Sequence, residues 1–257
     1  MEVFKRLYNY RELLKSNVKK EIRGKYKGSF LGILWSFVNP LLTVLVYAIV
    51  FPIILGIKEE NYLLYLICGV IPWNFFVTTV TQGTTTILAN GDIIKKVFFP
   101  REILPISIGL STLINFFISC VIILAFVIGS GLGVHIYLIL LPVVAIIQFM
   151  FSLGLVFILS AINVYVRDVE YIVTFVLNLL FYGTPIIYTL DMIPAKYMWI
   201  MDLNPMAQLI EAYRCIFVRG EWPDLMSLLA VGVFSFVVMV VGYSIFRKLE
   251  KGFAEEI

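Results

Sequence analysis

Six stretches of this 257-residue chain run for more than twenty residues without Lys, Arg, Asp or Glu, save a single Glu170. They are Phe30 to Ile57, Tyr62 to Ala89, Ile103 to Gly129, Ile136 to Asn163, Val169 to Leu190 and Leu225 to Phe246. About twenty apolar residues in a helix cross a hydrocarbon core of about 30 Å, so each run is predicted to span a membrane. Barrel strands are about ten residues long with alternating polarity, whereas these runs are apolar on every side. In lipid the backbone must satisfy itself within helices. The expected fold is therefore all-α: one polytopic transmembrane domain over residues 1–257 with six spans.

Charge supplies the orientation. Only 14% of residues are charged and 61% are hydrophobic, against about 25% charged in a soluble domain. Positive charge resists translocation. With the N-terminus inside, the cytoplasmic side holds nine Lys and Arg in residues 1–29 plus Lys95, Lys96, Arg101, Arg167, Arg247, Lys248 and Lys251, making sixteen. The outside keeps Lys58, Lys196, Arg214 and Arg219. Both termini are thus expected in the cytoplasm, in a multi-pass protein of the cytoplasmic (inner) membrane. The net charge of +3 follows from this topology and gives no support to nucleic-acid binding. A long charged segment precedes the first run, unlike a secretory signal, so that run is expected to stay uncleaved. Cys68, Cys120 and Cys215 are scattered and read as small apolar fillers rather than a disulfide or metal framework.

Three segments lie outside the spans. In residues 1–29, Val3, Leu7, Tyr10, Leu14, Val18 and Ile22 recur at steps of three and four, with Lys5, Arg6, Glu12, Lys15, Lys19 and Arg23 away from them. That is the pattern of an amphipathic interface helix. Taken alone it suits attachment to anionic lipid, or docking of a cytoplasmic partner. The loop from Asn90 to Glu102 mixes charge with Val97, Phe98 and Phe99, which suits a protein contact or an aromatic belt at the interface. The segment Asp191 to Asp224, with Pro194, Pro205 and Pro223, is too polar to span; it reads as one or two short helices dipping into the outer leaflet.

Chemistry is sparse. No nucleophile with a base, no metal box and no phosphate-cradling Gly-rich loop is present, and His135 sits in a Gly-rich outer turn. The spans lack the buried acids and bases that ion-coupled carriers use, and no internal repeat is visible. A secondary carrier and a membrane transferase are thereby disfavoured. What recurs instead are polar and aromatic stripes at helical spacing. Trp35, Asn39, Thr43, Tyr47 and Phe51 fall four apart in the first span; Tyr171, Thr174, Asn178, Tyr182, Pro185 and Thr189 follow steps of three and four in the fifth. Rings flanked by hydroxyls and amides offer a sliding sugar chain stacking surfaces and hydrogen bonds. The same stripes also serve as helix-to-helix glue, the reading that fits Ser107, Ser111, Asn115 and Ser119 in the third span better. Pro40, Pro52, Pro72 and Pro185 are expected to kink their helices.

Several pieces in order make a more specific signal: Lys25-Tyr-Lys-Gly-Ser-Phe-Leu-Gly-Ile-Leu-Trp35 with Asn39-Pro40-Leu41, Phe99-Pro-Arg-Glu-Ile-Leu-Pro105, Asn163-Val-Tyr-Val-Arg-Asp-Val169, Gly183-Thr-Pro-Ile-Ile-Tyr188, Asn204-Pro-Met206 and Glu211-Ala-Tyr-Arg214. Over nearly its whole length the chain resembles the membrane subunit of ABC type 2 polysaccharide exporters, the permeases for lipopolysaccharide O-antigen, teichoic acid and capsule. The resemblance implies a homodimer of six-span subunits with two copies of a separate cytoplasmic ATPase, which binds the ATP and Mg; this chain would carry no cofactor and would not be an enzyme. It implies re-entrant outer helices between spans five and six. It also implies that residues 1–22 and 90–102 meet the ATPase, through Lys5, Arg11, Lys15, Asp92, Lys95, Lys96, Phe98, Phe99, Arg101 and Glu102, which reverses the reading as simple lipid attachment. The implied substrate is a polymer on a polyprenyl diphosphate lipid; Arg23, Lys25 and Lys27 either attract that diphosphate or serve only as positive-inside anchors. The stripes of the first and fifth spans become the walls of its channel. Export of a drug or lipid is the nearest alternative and would need a lateral cleft.

Overall fold

The computed structural model describes residues 6, 8–24, 30, 32–55 and 61–257, without the side chains at 33, 36, 37, 40, 52, 54 and 55. Lys5, Lys25 and Lys27 fall outside these, and Pro40 and Pro52 are described by their backbone alone. Among the described residues every regular element is helical: α1 (Arg11–Gly24), α2 (Trp35–Leu55), α3 (Tyr62–Ala89), α4 (Gly91–Lys96), α5 (Ile103–Gly129), α6 (Leu141–Tyr165), α7 (Val169–Tyr182), α8 (Met198–Leu203), α9 (Pro205–Arg214), α10 (Leu225–Leu249) and α11 (Phe253–Glu256). Among the described residues, four helices are long and apolar enough to cross a membrane: α3, α5, α6 with its 3-10 lead-in from Ile136, and α10 with the turns that follow it. Leu41–Phe51 within α2 and the whole of α7 are shorter apolar helical stretches.

The second and third runs match α3 and α5 end to end, because Asn90-Gly91 and Ser130-Gly131 stop the helices where the apolar pattern stops. The fifth does not. A helix was expected to Leu190, but α7 ends at Tyr182, and its 14 residues reach about 21 Å, short of the hydrocarbon thickness. The cause is local: Pro185 has no N–H to give the ladder and disfavours helical backbone at Thr184. Pro185 therefore ends this helix instead of kinking it, and residues 184–187 turn inward and are buried.

α3 is the axis of the bundle, packed on by α2, α5, α6, α7 and α9. Pro72 within it removes one ladder donor, and the buried Gln148 of α6 donates Nε2 to Pro72 O at 2.8 Å while its Oε1 accepts from Tyr213 of α9 at 2.9 Å. Thr79 of α3 and Thr112 of α5 share a hydrogen bond of 2.8 Å. The expected glue of the third span differs: Ser107, Ser111 and Ser119 donate to carbonyls of their own helix, and Thr112 makes the bond across. A hydroxyl three or four residues from a free lone pair finds it sooner than a neighbouring helix. α10 lies on α6, and their backbones touch at Gly154 and Gly242, where a Cβ on either glycine would overlap the other helix's main chain. Small residues at a crossing let helices approach where apolar burial supplies no drive.

Apolar packing forms two clusters. The larger runs along α3, α5, α6 and α9. The second gathers Ile87, Ile94, Phe99, Leu104, Phe157, Phe246 and Phe253 at the end of the bundle that carries α1, α4 and most of the Lys and Arg, here called the basic end.

Candidate functional site

Three places concentrate polar or aromatic side chains: the basic end, the facing sides of α2 and α7, and the far end.

At the basic end α1 packs on α5, with Tyr10 and Leu13 against the second cluster. Arg11 and Lys15 are exposed; Arg11 covers the Tyr8 ring at 4.4 Å and Lys15 pairs with Glu12 at 3.0 Å, which holds the Glu12 carboxyl below its usual pKa. Arg23 is exposed in the last turn. The loop from Asn90 to Glu102 is largely built. Lys20 of α1 donates to Asn90 Oδ1 at 3.2 Å, and Arg6 lies 3.7 Å from Glu102 while donating to Tyr243 of α10 at 3.2 Å. Asp92, Lys95, Lys96, Val97 and Phe98 are exposed, Phe98 at 96%.

Phe99 and Glu102, by contrast, are buried, at 7% and 0%. The expectation that both reach a partner is corrected by geometry. Val97 and Phe98 face out, and Phe99 turns into the cluster with Ile94 and Phe253. Glu102 opens α5 with its carboxylate buried, 3.7 Å from Arg6 and, among the described residues, without a hydrogen-bond partner on either oxygen.

Along α7, Tyr171, Thr174, Asn178 and Tyr182 form one exposed row, and Val173 and Leu177 face the bundle on the other side. Phe181 links this helix to α2: its ring centroid lies 5.9 Å from Tyr47 and 5.3 Å from Tyr182, and Tyr47 lies 5.4 Å edge-on from Phe51. The two predicted stripes therefore meet at Tyr47, Phe51 and Tyr182. Trp35 and Asn39 are exposed and Thr43 half-buried nearer the start of α2. Thr189 does not continue the row, because α7 has ended; it is buried in the turn beyond. The opposite face of α7 borders an apolar groove of about 660 Å³, lined by Trp73, Phe76, Phe151, Val176 and Leu180 and closed by Thr184 and Asn204.

At the far end the chain from Thr184 to Thr189 is non-helical, yet three successive carbonyls have side-chain donors. Arg214 Nη2 donates to Ile186 O at 3.1 Å, Tyr62 to Ile187 O at 2.6 Å and Tyr65 to Tyr188 O at 2.9 Å. The Arg214 guanidinium covers the Tyr65 ring at 3.4 Å and fits against Gly69, where a Cβ would stand 3.1 Å from Nη2. Asn204 caps α9 by accepting from the N–H groups of Met206 and Ala207, and it donates Nδ2 to Thr184 Oγ1 at 3.0 Å. Irregular backbone at membrane depth is tolerated only with such donors. The three motifs at 183–188, 204–206 and 211–214 are thus parts of one contact. Tyr62, Tyr65, Gln148 and Phe181 were not singled out from the sequence; aromatics at a span end resemble any interfacial belt.

The sequence pattern of the ABC-2 type transporter family matches residues 12–218. An O-antigen export system permease protein RfbA of Myxococcus xanthus is 37% identical over 259 residues, covering 100% of both chains. A protein of the same name in Klebsiella pneumoniae is 36% identical over 246 residues, covering 95% of this chain and 94% of its own.

Proposed function

The chain belongs to the ABC-2 type transporter family as a membrane-embedded, non-catalytic subunit, and on that premise we propose that it exports a lipid-linked polysaccharide of the O-antigen class. ATP and Mg are bound and turned over in a separate cytoplasmic ATPase, present in two copies beside a homodimer of this chain. Six passes put both termini and the basic end in the cytoplasm of the inner membrane, and α8 and α9 form the re-entrant outer segment.

One observation carries the reading. The row Tyr171, Thr174, Asn178 and Tyr182 is exposed along an otherwise apolar helix and reaches Tyr47 and Phe51 through Phe181. Hydroxyls and amides facing lipid forfeit their water hydrogen bonds, so this face suits a second subunit or a wet path. A hydrophilic polymer needs such a path with ring faces to slide over, and pairing of two subunits across α2 and α7 encloses it. Trp35, Asn39 and Thr43 extend it toward the basic end, where Arg23, with Lys25 and Lys27, attracts the lipid diphosphate. Thr189 belongs to the far-end closure.

The exposed tip Asp92, Lys95, Lys96 and Phe98, with Arg11, Lys15 and Lys5 of the amphipathic segment, is the ATPase contact. Arg101, Phe99 and Glu102 support it from within.

A second reading, export of a lipid or small apolar molecule, draws on the groove on the opposite face of α7. Two variants discriminate. Tyr47→Ala with Tyr182→Ala stops polymer export if the aromatic path conducts it; Val176→Trp, which fills the groove, stops export if the groove does. Polymer export unchanged in the tyrosine pair refutes the conduit, and export by this chain in proteoliposomes without the ATPase refutes the ATP-driven assembly.

A further inference from the structure

We propose that the segment Glu250–Ile257 is a positioning element that joins the loop 90–102 to α10, so that a push on the loop reaches the last helix directly. The inference rests on the reading of that loop as the ATPase contact.

The segment holds the loop at both of its ends. At the start Gly91 has no side chain, and Ile257 occupies the space that a Cβ would take. At the finish the Arg101 guanidinium donates to Glu250 O and lies 5.8 Å from the Phe253 ring. Between them Ile94 and Phe99 sink into the cluster that contains Phe253, which is fully buried. The other side of the segment is fastened to the spans: Phe253 meets Phe246 of α10 edge-on at 5.5 Å, Tyr165 of α6 donates to Leu249 O at 2.8 Å, and Gly252 leaves room for that hydroxyl. α11 packs on both α4 and α6.

The mechanical consequence follows from close packing. A packed aromatic cluster transmits displacement because its members cannot compress into voids. By chain connectivity the loop moves only α3 and α5, the helices on either side of it. With Phe253 inserted, a displaced Ile94 or Phe99 also moves Phe246 and hence the end of α10, whose other packing is along α6 and on α9. Lys95, Lys96 and Phe98 stay exposed on the opposite side of the loop, free for the partner. The contact surface and the brace are therefore separate, and one can be cut without the other.

The test uses the chain with its co-expressed ATPase in proteoliposomes, with bimane attached at Lys248→Cys. That position is exposed at the end of α10, and Cys68, Cys120 and Cys215 are buried. Adding MgATP is expected to shift the bimane emission in the otherwise native complex. In Phe253→Ala the shift falls by about fivefold or more, the range of ordinary coupling energies, while the ATPase still co-purifies and still hydrolyses ATP; Phe253→Leu restores it. Ile257→Ala, a half-buried site whose truncation spares the cluster, repeats the loss if Phe253→Ala does not fold. A full-size shift in Ile257→Ala and in any folded Phe253→Ala overturns the proposal, as does a native complex whose bimane ignores MgATP. Loss of the ATPase from Ile257→Ala makes the segment a docking element and overturns it too. Failure of the native chain to retain any ATPase refutes the underlying functional reading, and the brace with it.

Discussion

Arg214→Ala should loosen the far end while leaving the rest of the bundle folded. The guanidinium is 1% exposed, donates to Ile186 O at 3.1 Å, stacks on Tyr65 at 3.4 Å and approaches Glu211 at 3.6 Å. A hydrogen bond from a charged donor contributes about 1.5–3 kcal/mol and a desolvated cation–π contact about 2 kcal/mol. Against them stands burial of Nε and Nη1, neither of which has a hydrogen-bond partner. Removing the side chain erases that cost along with the gains, but it strands Ile186 O without a donor and opens a void beside Gly69. The net loss should be about 3 kcal/mol, the low end for breaking a buried pair. Arg214→Met fills the void and leaves only the stranded carbonyl, so it should lose about 1–2 kcal/mol. Cys68, adjacent to Gly69 and buried, reports the local opening. With Cys120 and Cys215 replaced by Ala in every variant, 3 kcal/mol predicts thiol labelling of Cys68 about 100-fold faster in Arg214→Ala. Labelling within about threefold of the parent, where roughly 0.7 kcal/mol would suffice, refutes the account of the far end as a pinned irregular segment.

Other expectations are as specific. Gly242→Ala should drive α10 off Gly154 and lower the midpoint of unfolding in detergent by an overpacking cost of about 1–3 kcal/mol, whereas Gly232→Ala, whose Cβ would meet nothing nearer than 3.6 Å, should be silent. Phe99→Ala should cost about 3–5 kcal/mol of stability, and Phe98→Ala less than about 0.5 kcal/mol, while only Phe98→Ala folds well yet loses the ATPase in pull-down. Asp224 accepts from Ser227 Oγ and from the Met226 N–H, which hold its carboxyl below its ordinary value of 3.8. A depressed pKa adds stability above the unfolded value and loses it as the pH falls through the folded one; Asp224→Asn should therefore unfold with a shallower acid dependence below about pH 4 than the parent in detergent titrations.

The far end and the basic end differed in how readable they were. Each motif at 183–188, 204–206 and 211–214 stood out as a string of residues, but nothing local announces that Arg214 donates to Ile186 or that Asn204 reaches Thr184. Those bonds join residues 20 to 28 apart, and side-chain reach across a turn is not a periodic signal. Phe98 and Phe99 are the plainest case, since adjacent identical residues have opposite fates once α4 sets the direction of the chain. Phe253 had no visible role, because its partners Phe246, Tyr165 and Arg101 come from three different elements.

What the residues alone determined was the all-helical class, the ends of α3 and α5, the amphipathic α1 and the concentration of charge at one end. Each of these follows from local forces: hydrocarbon admits only self-satisfied helices, glycine and asparagine stop them, and Lys and Arg avoid crossing. Tertiary structure decided how the irregular segment after α7 is pinned, which of two adjacent phenylalanines is exposed, and which rings join α2 to α7. Those outcomes depend on donors, voids and neighbours supplied by distant parts of the chain, whose influence on burial and hydrogen bonding exists only after the helices have met.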